Sequence, residues 1–249
     1  MLSRDVPLSV RVQNVMGQLF YIPLMWWVPL GFFLIGLRVK ELKKLRAYYK
    51  EITDEKYPPL VICPNHLTYV DSIILITTFA NHFWYPFHFR RHMWNLAAKE
   101  YAKNPIFLFV CYFSKVLFIS RENEKNNDYP TLKTAIKLLR CGHIVLVFPE
   151  GRRSKTGRFD DSKLAYGVGK IISEIGECRV LCTYLRCPEL GEKARGLPAL
   201  GSKYTILTEL VHYNKKSWGS HPAAGITRDV ADRIKKLETK YFETLRNTH

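Results

Sequence analysis

Two short clusters of polar residues have the types and spacing to do chemistry. The first is NHLTYVD at residues 65–71, where His66 and Asp71 stand five positions apart. An imidazole can take and return a proton near neutral pH. A carboxylate bonded to its other ring nitrogen fixes the tautomer and supports the imidazolium. Contact between the two is not automatic. Fully extended, five residues span roughly 17 Å, and in an unbroken helix the two side chains point about 140° apart. A turn at His66 that opens a helix carrying Asp71 would fold the acid back onto the ring. The same residues also fit a plain structural role, with Asp71 favoured by the helix dipole and Asn65 and Thr68 as turn and cap residues. Of the other histidines, His88 and His92 sit in FHFRRHMW, which reads as a membrane-facing or solvated surface. His143 starts a strand, and His82, His212, His221 and His249 lie in polar or loop contexts.

The second cluster is FPEGRRSKTG at residues 148–157. Proline and glycine after an apolar run build a sharp turn, and Gly151 lets the backbone approach a ligand closely. Arg152, Arg153 and Lys155 follow, with Ser154 among them. Guanidinium groups on a glycine turn suit an oxyanion or a phosphate. Glu150, an acid beside several bases, could orient an arginine or a substrate hydroxyl. The plain alternative is a solvated basic loop.

Both clusters need elements to hold them. Apolar runs at residues 58–63, 94–99, 115–120, 143–148, 180–185 and 204–210 read as strands. Residues 71–80 are long enough for a helix. Residues 128–140 read as a helix with Asp128 as cap, Pro130 in the first turn and Gly142 just past the end. Ile226, Val230, Ile234, Leu237, Tyr241 and Leu245 recur at helical spacing, giving a C-terminal amphipathic helix. Strands interleaved with helices imply an α/β domain with a mixed, largely parallel sheet flanked by helices.

The chain has 249 residues, 47% of them hydrophobic, which is enough for one substantial core and excludes a disordered chain. The net charge of +16 attracts acidic lipid surfaces, nucleic acid or small phosphorylated molecules. No nucleic-acid motif accompanies it. The six cysteines form no CxxC pair and no metal-ligand spacing, so neither a metal site nor a disulfide framework is expected.

Residues 16–37 carry no charge. As one helix they would run roughly 33 Å, enough to cross a bilayer. Pro23 and Pro29 argue for a break, so a hairpin dipping into one leaflet stands beside the single span. Trp26 and Trp27 lie mid-segment, which favours the shallower arrangement. A buried core helix is a third reading. A cleaved signal peptide fits poorly, because the run is too long and lacks a small-residue cleavage site before Arg38. Arg4 and Arg11 precede the run, whereas Arg38, Lys40, Lys43, Lys44, Arg46 and Lys50 follow it. That asymmetry puts the bulk of the chain on the cytoplasmic face.

Taken together, NHxxxxD and FPEGxRS about 80 residues later resemble the 1-acylglycerol-3-phosphate acyltransferase (PlsC-like) family of glycerolipid acyltransferases. The first motif matches at Asn65, His66 and Asp71. AAKE is similar to the family's second element, with Lys99 at its lysine. Phe118, Ile119 and Arg121 match a third element in part, and Phe148, Pro149, Glu150, Gly151, Arg153 and Ser154 match the next. VLCTYL is loosely similar to the last. The likeness covers residues 58–190. Departures are Lys115 near the family's glycine, Ser120 for a common aspartate, Cys182 for a proline and Arg152 for a threonine. They lie near elements that the family uses for the acceptor headgroup, so the reaction type carries over and the acceptor stays open.

The resemblance implies an enzyme that moves a fatty acyl group from acyl-CoA or acyl-carrier protein to the sn-2 hydroxyl of 1-acylglycerol-3-phosphate, forming phosphatidic acid. His66 would be the base and Asp71 its orienting acid. Lys99, Arg121 and Arg153 would grip the acceptor phosphate, with Glu150, Gly151 and Ser154 shaping that pocket. No cofactor is implied beyond the thioester co-substrate. The expected partners are the lipid bilayer, the lysophospholipid acceptor and the donor, with no nucleic acid. Residues 1–50 would be a membrane-anchoring segment with a basic flank, and 51–249 the α/β acyltransferase domain. The same chemistry on a lyso-aminolipid, a lysophosphatidylcholine-like lipid or glycerol 3-phosphate is the nearest alternative. A non-enzymatic basic module for membrane surfaces or nucleic acid is the alternative of another class.

Overall fold

A computed structural model of the chain describes residues 2–25, 27–54, 56–100, 105–119, 130–191, 196–214 and 222–247. The elements in order are α1 (Leu8–Leu19), α2 (Tyr21–Met25), α3 (Trp27–Leu34), β1 (Arg38–Val39), α4 (Leu42–Ile52), β2 (Leu60–Pro64), α5 (Asp71–Phe79), β3 (Trp94–Ala98), α6 (Pro105–Phe113), β4 (Val116–Ile119), α7 (Pro130–Arg140), β5 (Val145–Leu146), α8 (Gly167–Ile175), β6 (Glu177–Arg186), β7 (Lys203–Asn214) and α9 (Pro222–Arg246).

The strands form one seven-stranded sheet in the order β1-β7-β6-β2-β5-β3-β4. All pairings are parallel except β6 with β7. The expected mixed, largely parallel α/β architecture is therefore present. β2 and β5, in the middle of the sheet, are apolar throughout because both faces are covered. Val61 and Cys63 of β2 pack with α7, α8 and α9, whereas Leu60 and Ile62 pack with α4 and α5. In β6, Val180, Cys182 and Tyr184 face the first core, and Leu181 and Leu185 the second.

Helix ends follow local chemistry. After α7, Gly142 adopts φ +75°, and the His143 and Gly142 amides donate to Leu138 and Leu139 carbonyls at 3.0 and 2.9 Å. That left-handed glycine closes the helix and feeds the chain into β5. Gly169 of α8 lets α9 approach closely: a Cβ there would fall 1.8 Å from the Ala223 carbonyl oxygen. The described cysteines are free, and all but Cys141 are buried.

The N-terminal region is bent. Two helical arms, Leu8–Leu19 and Tyr21–Leu34, meet at 66°, and no single described helix is long and apolar enough to cross a membrane. Pro23 and Pro29 are each the third residue of a short helix, where a missing amide hydrogen is harmless. Val6, Val10 and Tyr21 are built into the two cores, so truncating this region would also cost stability. Residue 50, where the composition changes, lies inside α4, and Arg38 and Val39 already belong to the sheet. α6 and α8 were not anticipated. The expectation for His92 is corrected: it is fully buried between Tyr21, Tyr85 and Phe89, not at a solvated surface.

Candidate active site

β2, β3, β4, β5 and β6 run in one direction, so their carboxyl ends form a single edge. In open α/β sheets that edge is where ligands bind. The loop after β2 carries His66 and the loop after β5 carries Phe148–Gly151. Lys99 directly follows β3 and is exposed at this edge. Arg121, two positions past β4, lies outside the described residues, as does Ser120.

Asn65 sets up the turn. Its amide donates to the Leu185 carbonyl at 3.1 Å and accepts from the Leu185 amide at 2.7 Å, extending the β2–β6 ladder by a side chain. The chain then turns, and α5 starts at Asp71. The fold-back joins ring and acid, with His66 Nδ1 2.9 Å from Asp71 Oδ2. Asp71 is 1% exposed and takes three further bonds. Its Oδ2 accepts from the Leu67 and Thr68 amides at 2.6 and 2.8 Å, and its Oδ1 from the Thr68 hydroxyl at 2.6 Å. A carboxylate ringed by donors is an acceptor, so His66 Nδ1 carries the proton toward it. Nε2 then keeps its lone pair for a substrate. The ring lies against Phe148, centroids 3.9 Å apart and planes 19° apart, which fixes its orientation. The His66 side chain is 20% exposed, enough for a reactant to reach it.

The two motifs are locked together through backbone. The His66 amide donates to Glu150 Oε1 at 2.7 Å, and the Ser154 amide donates to the His66 carbonyl at 2.8 Å. Glu150 Oε2 accepts from the Asp160 amide at 3.1 Å. Both Glu150 oxygens thus hold main chain, a different task from orienting an arginine or a hydroxyl. Burial pushes the Glu150 carboxyl up to about 8, against the two amides that favour its charge. Ser154 is buried, with its hydroxyl 3.3 Å from that of Thr156. Gly151 takes φ +61°, and a Cβ there would meet the Ala165 side chain at 2.8 Å, so the tight turn requires glycine.

The Arg153 guanidinium stacks 3.6 Å from the Tyr69 ring centroid, beside the His66 loop. Its Nε is buried without a hydrogen-bond partner among the described residues. Arg152 instead points to Asp160 at 2.9 Å. The stacking roles of Phe148 and Tyr69 and the clamping task of Glu150 were missed at the level of sequence. The position of both aromatics inside the two motifs was the available hint. Among the described residues no group of His, Cys, Asp and Glu is placed to hold a metal ion.

A histidine paired with an aspartate and set beside a basic turn, at the carboxyl edge of a parallel sheet, has the parts of a general base and an anion-binding turn. The chain matches the model of the Acyltransferase family over residues 37–184, and it belongs to that family. It is therefore an acyltransferase, and a non-enzymatic basic module is set aside. No curated protein matches the chain. Among solved structures it is similar to the 1-acyl-sn-glycerophosphate (LPA) acyltransferase PlsC from Thermotoga maritima. That likeness is 16% identical, covers 90% of this chain and 95% of the other, and has a TM-score of 0.49.

Proposed function

We propose that the protein is a lysophospholipid acyltransferase that transfers a fatty acyl group from acyl-CoA or acyl-carrier protein to the sn-2 hydroxyl of 1-acylglycerol-3-phosphate. The observation that carries this reading is the His66–Asp71 contact held against the FPEGRRS turn. His66 Nε2 takes the hydroxyl proton as the acceptor oxygen attacks the thioester carbonyl. The tetrahedral intermediate collapses, the C–S bond breaks, and the thiolate leaves with the proton from the imidazolium. Asp71 supports that imidazolium. The acceptor is its own nucleophile, so no acyl-enzyme is required. Arg153, stacked on Tyr69 beside the His66 loop, is the best-supported ligand for the acceptor phosphate; Lys99 follows β3 at the same edge, and Arg121, outside the described residues, stays a candidate from the family motif alone.

The enzyme works at a bilayer surface, on the cytoplasmic face. Leu8, Val12, Val15 and Leu19 make an exposed apolar stripe along α1, and Trp27, Phe33 and Leu34 are exposed on α3. Two helical arms bent by 66° suit a shallow anchor better than a span. An interfacial site also spares the lipid from leaving the membrane: lifting a chain of roughly 16 carbons into water costs about 0.8 kcal/mol per methylene.

The test is release of free thiol from acyl-CoA with a panel of lysolipids in mixed micelles. Lysophosphatidate should give the fastest release. Faster release with a lysophosphatidylcholine-like lipid, a lyso-aminolipid or glycerol 3-phosphate would reassign the acceptor.

A further inference from the structure

The opposite edge of the sheet, where the parallel strands begin, carries a cleft of about 260 Å³. Four arginines line it: Arg90 and Arg91 ahead of β3, Arg140 at the end of α7, and Arg179 near the start of β6. Asp54 is the one carboxylate among the described lining residues. Arg179 is 3% exposed and held rigidly: its Nε and Nη2 donate to the Pro58 carbonyl at 3.1 and 3.0 Å, and its guanidinium lies 4.6 Å from the Tyr57 ring centroid. His143 also lines the cleft, is 3% exposed, and keeps a buried Nδ1 without a partner among the described residues. Guanidinium groups gathered round one small cleft repel one another, and a phosphate between them would relieve that repulsion with matched hydrogen-bond geometry.

A larger groove of about 750 Å³ shares Arg90, Arg91 and His143 with this cleft. Its α1 wall is amphipathic, with Leu8, Val12 and Val15 beside Arg11, Asn14 and Gln18, and the exposed Phe87 also lines it. A groove with an apolar stripe and a basic residue on its wall, opening into an arginine-lined cleft, has the two-part chemistry of a lipid with an anionic headgroup. A soluble phosphate would leave the groove empty. We propose that cleft and groove together bind one anionic phospholipid of the bilayer, its phosphate among the four arginines and its chain along α1, at a site separate from His66. The five residues of β2 run from Leu60 at the cleft toward the turn at His66, a rise of roughly 17 Å. Both sites can share one bilayer. α6 runs from the catalytic edge back to the start of β4, leaves Leu108, Phe109 and Val110 exposed, and packs on α1 through Gln13, whose amide donates to the Tyr112 carbonyl at 2.9 Å.

This inference rests on the bilayer attachment proposed above and not on the acyl transfer. The experiment is co-sedimentation of the full chain with vesicles of phosphatidylcholine alone and of phosphatidylcholine containing phosphatidic acid. The wild type should prefer the acidic vesicles. R90Q/R140Q should lose most of that preference, about tenfold or more in affinity, with binding to neutral vesicles unchanged. K236Q/K240Q removes the same charge from exposed positions on α9 and should keep the preference. Equal losses in the two double variants would reduce the effect to general surface charge and overturn the site. So would inorganic phosphate bound by the full chain with no preference for acidic vesicles, which would give the cleft to a soluble anion. Equal wild-type binding to both vesicles overturns this proposal alone. No binding to either overturns it together with the attachment.

Discussion

At the carboxyl edge of the sheet, Asp71 holds His66, Leu67 and Thr68, and Glu150 holds His66 and Asp160, so each acid has its donors in place. At the amino edge, Arg90, Arg91, Arg140 and Arg179 share a cleft with Asp54. The same strands support both arrangements. Where acids and donors balance, the backbone is rigid and one ring nitrogen is presented for chemistry. Where cations outnumber acids, the edge is prepared for an anion from outside. The catalytic edge is thus preorganised by internal bonds, whereas the amino edge gathers positive charge that the proposed lipid phosphate would offset.

Breaking the balance at the catalytic edge should have the largest consequences. In Asp71→Asn an amide NH₂ replaces one oxygen and faces donors that need an acceptor. Activity should fall on the order of 100- to 10,000-fold, the range a positioned base contributes. A buried donor left unsatisfied costs about 1–3 kcal/mol, so the melting temperature should drop as well. Near-normal thiol release by that variant would detach Asp71 from the mechanism. Arg153→Gln removes the charge proposed to bind the acceptor phosphate but leaves the clamp intact. KM for the lysophospholipid should rise roughly tenfold with kcat little changed, since one charge-assisted hydrogen bond is worth about 1.5–3 kcal/mol. A fall in kcat with constant KM would place Arg153 at the thioester carbonyl instead.

Glu150→Gln probes the clamp more gently. The Glu150 carboxyl sits above its ordinary range, at about 8, because burial penalises its charge. The folded state therefore holds this proton more tightly than the unfolded state. The resulting stability is full below the ordinary glutamate range and is lost as pH rises toward 8. The wild type should lose thermal stability between about pH 5 and 8, and the Gln variant should show a flatter profile from a lower starting point. Identical profiles would mean that other groups govern this window.

The sequence made the catalytic edge legible because its partners are close in the chain or carry a strong pattern. β2, β3, β4 and β5 announce themselves as apolar runs between breakers, and α9 by its spacing. His66 and Asp71 needed one turn to meet. α6 was hidden because PIFLFVCYF is apolar on every side and has no period to read. α8 was hidden because it opens GVG, and glycine there serves the approach of α9. The Glu150 clamp links positions 84 residues apart, and the arginine cleft draws on four separate segments, so neither leaves a local signature. Lys115 is an instructive case. It sits near the family's glycine and takes φ +55°, a conformation that suits glycine. Its ammonium is fully buried, donating to the Phe89 and His92 carbonyls at 2.5 and 3.1 Å, and burial holds it well below the usual lysine range. The backbone at Lys115 is left-handed while its side chain is packed inside, bonded to two carbonyls.

The decisive measurement is acyl-CoA thiol release by His66→Ala with lysophosphatidate as acceptor. The ring touches Phe148 and Asp71 but sits at the surface of the turn, so the variant should fold and bind vesicles like the wild type. The prediction is a loss of turnover of about 100-fold or more. A folded His66→Ala protein that transfers acyl groups within a few-fold of the wild type would contradict the account.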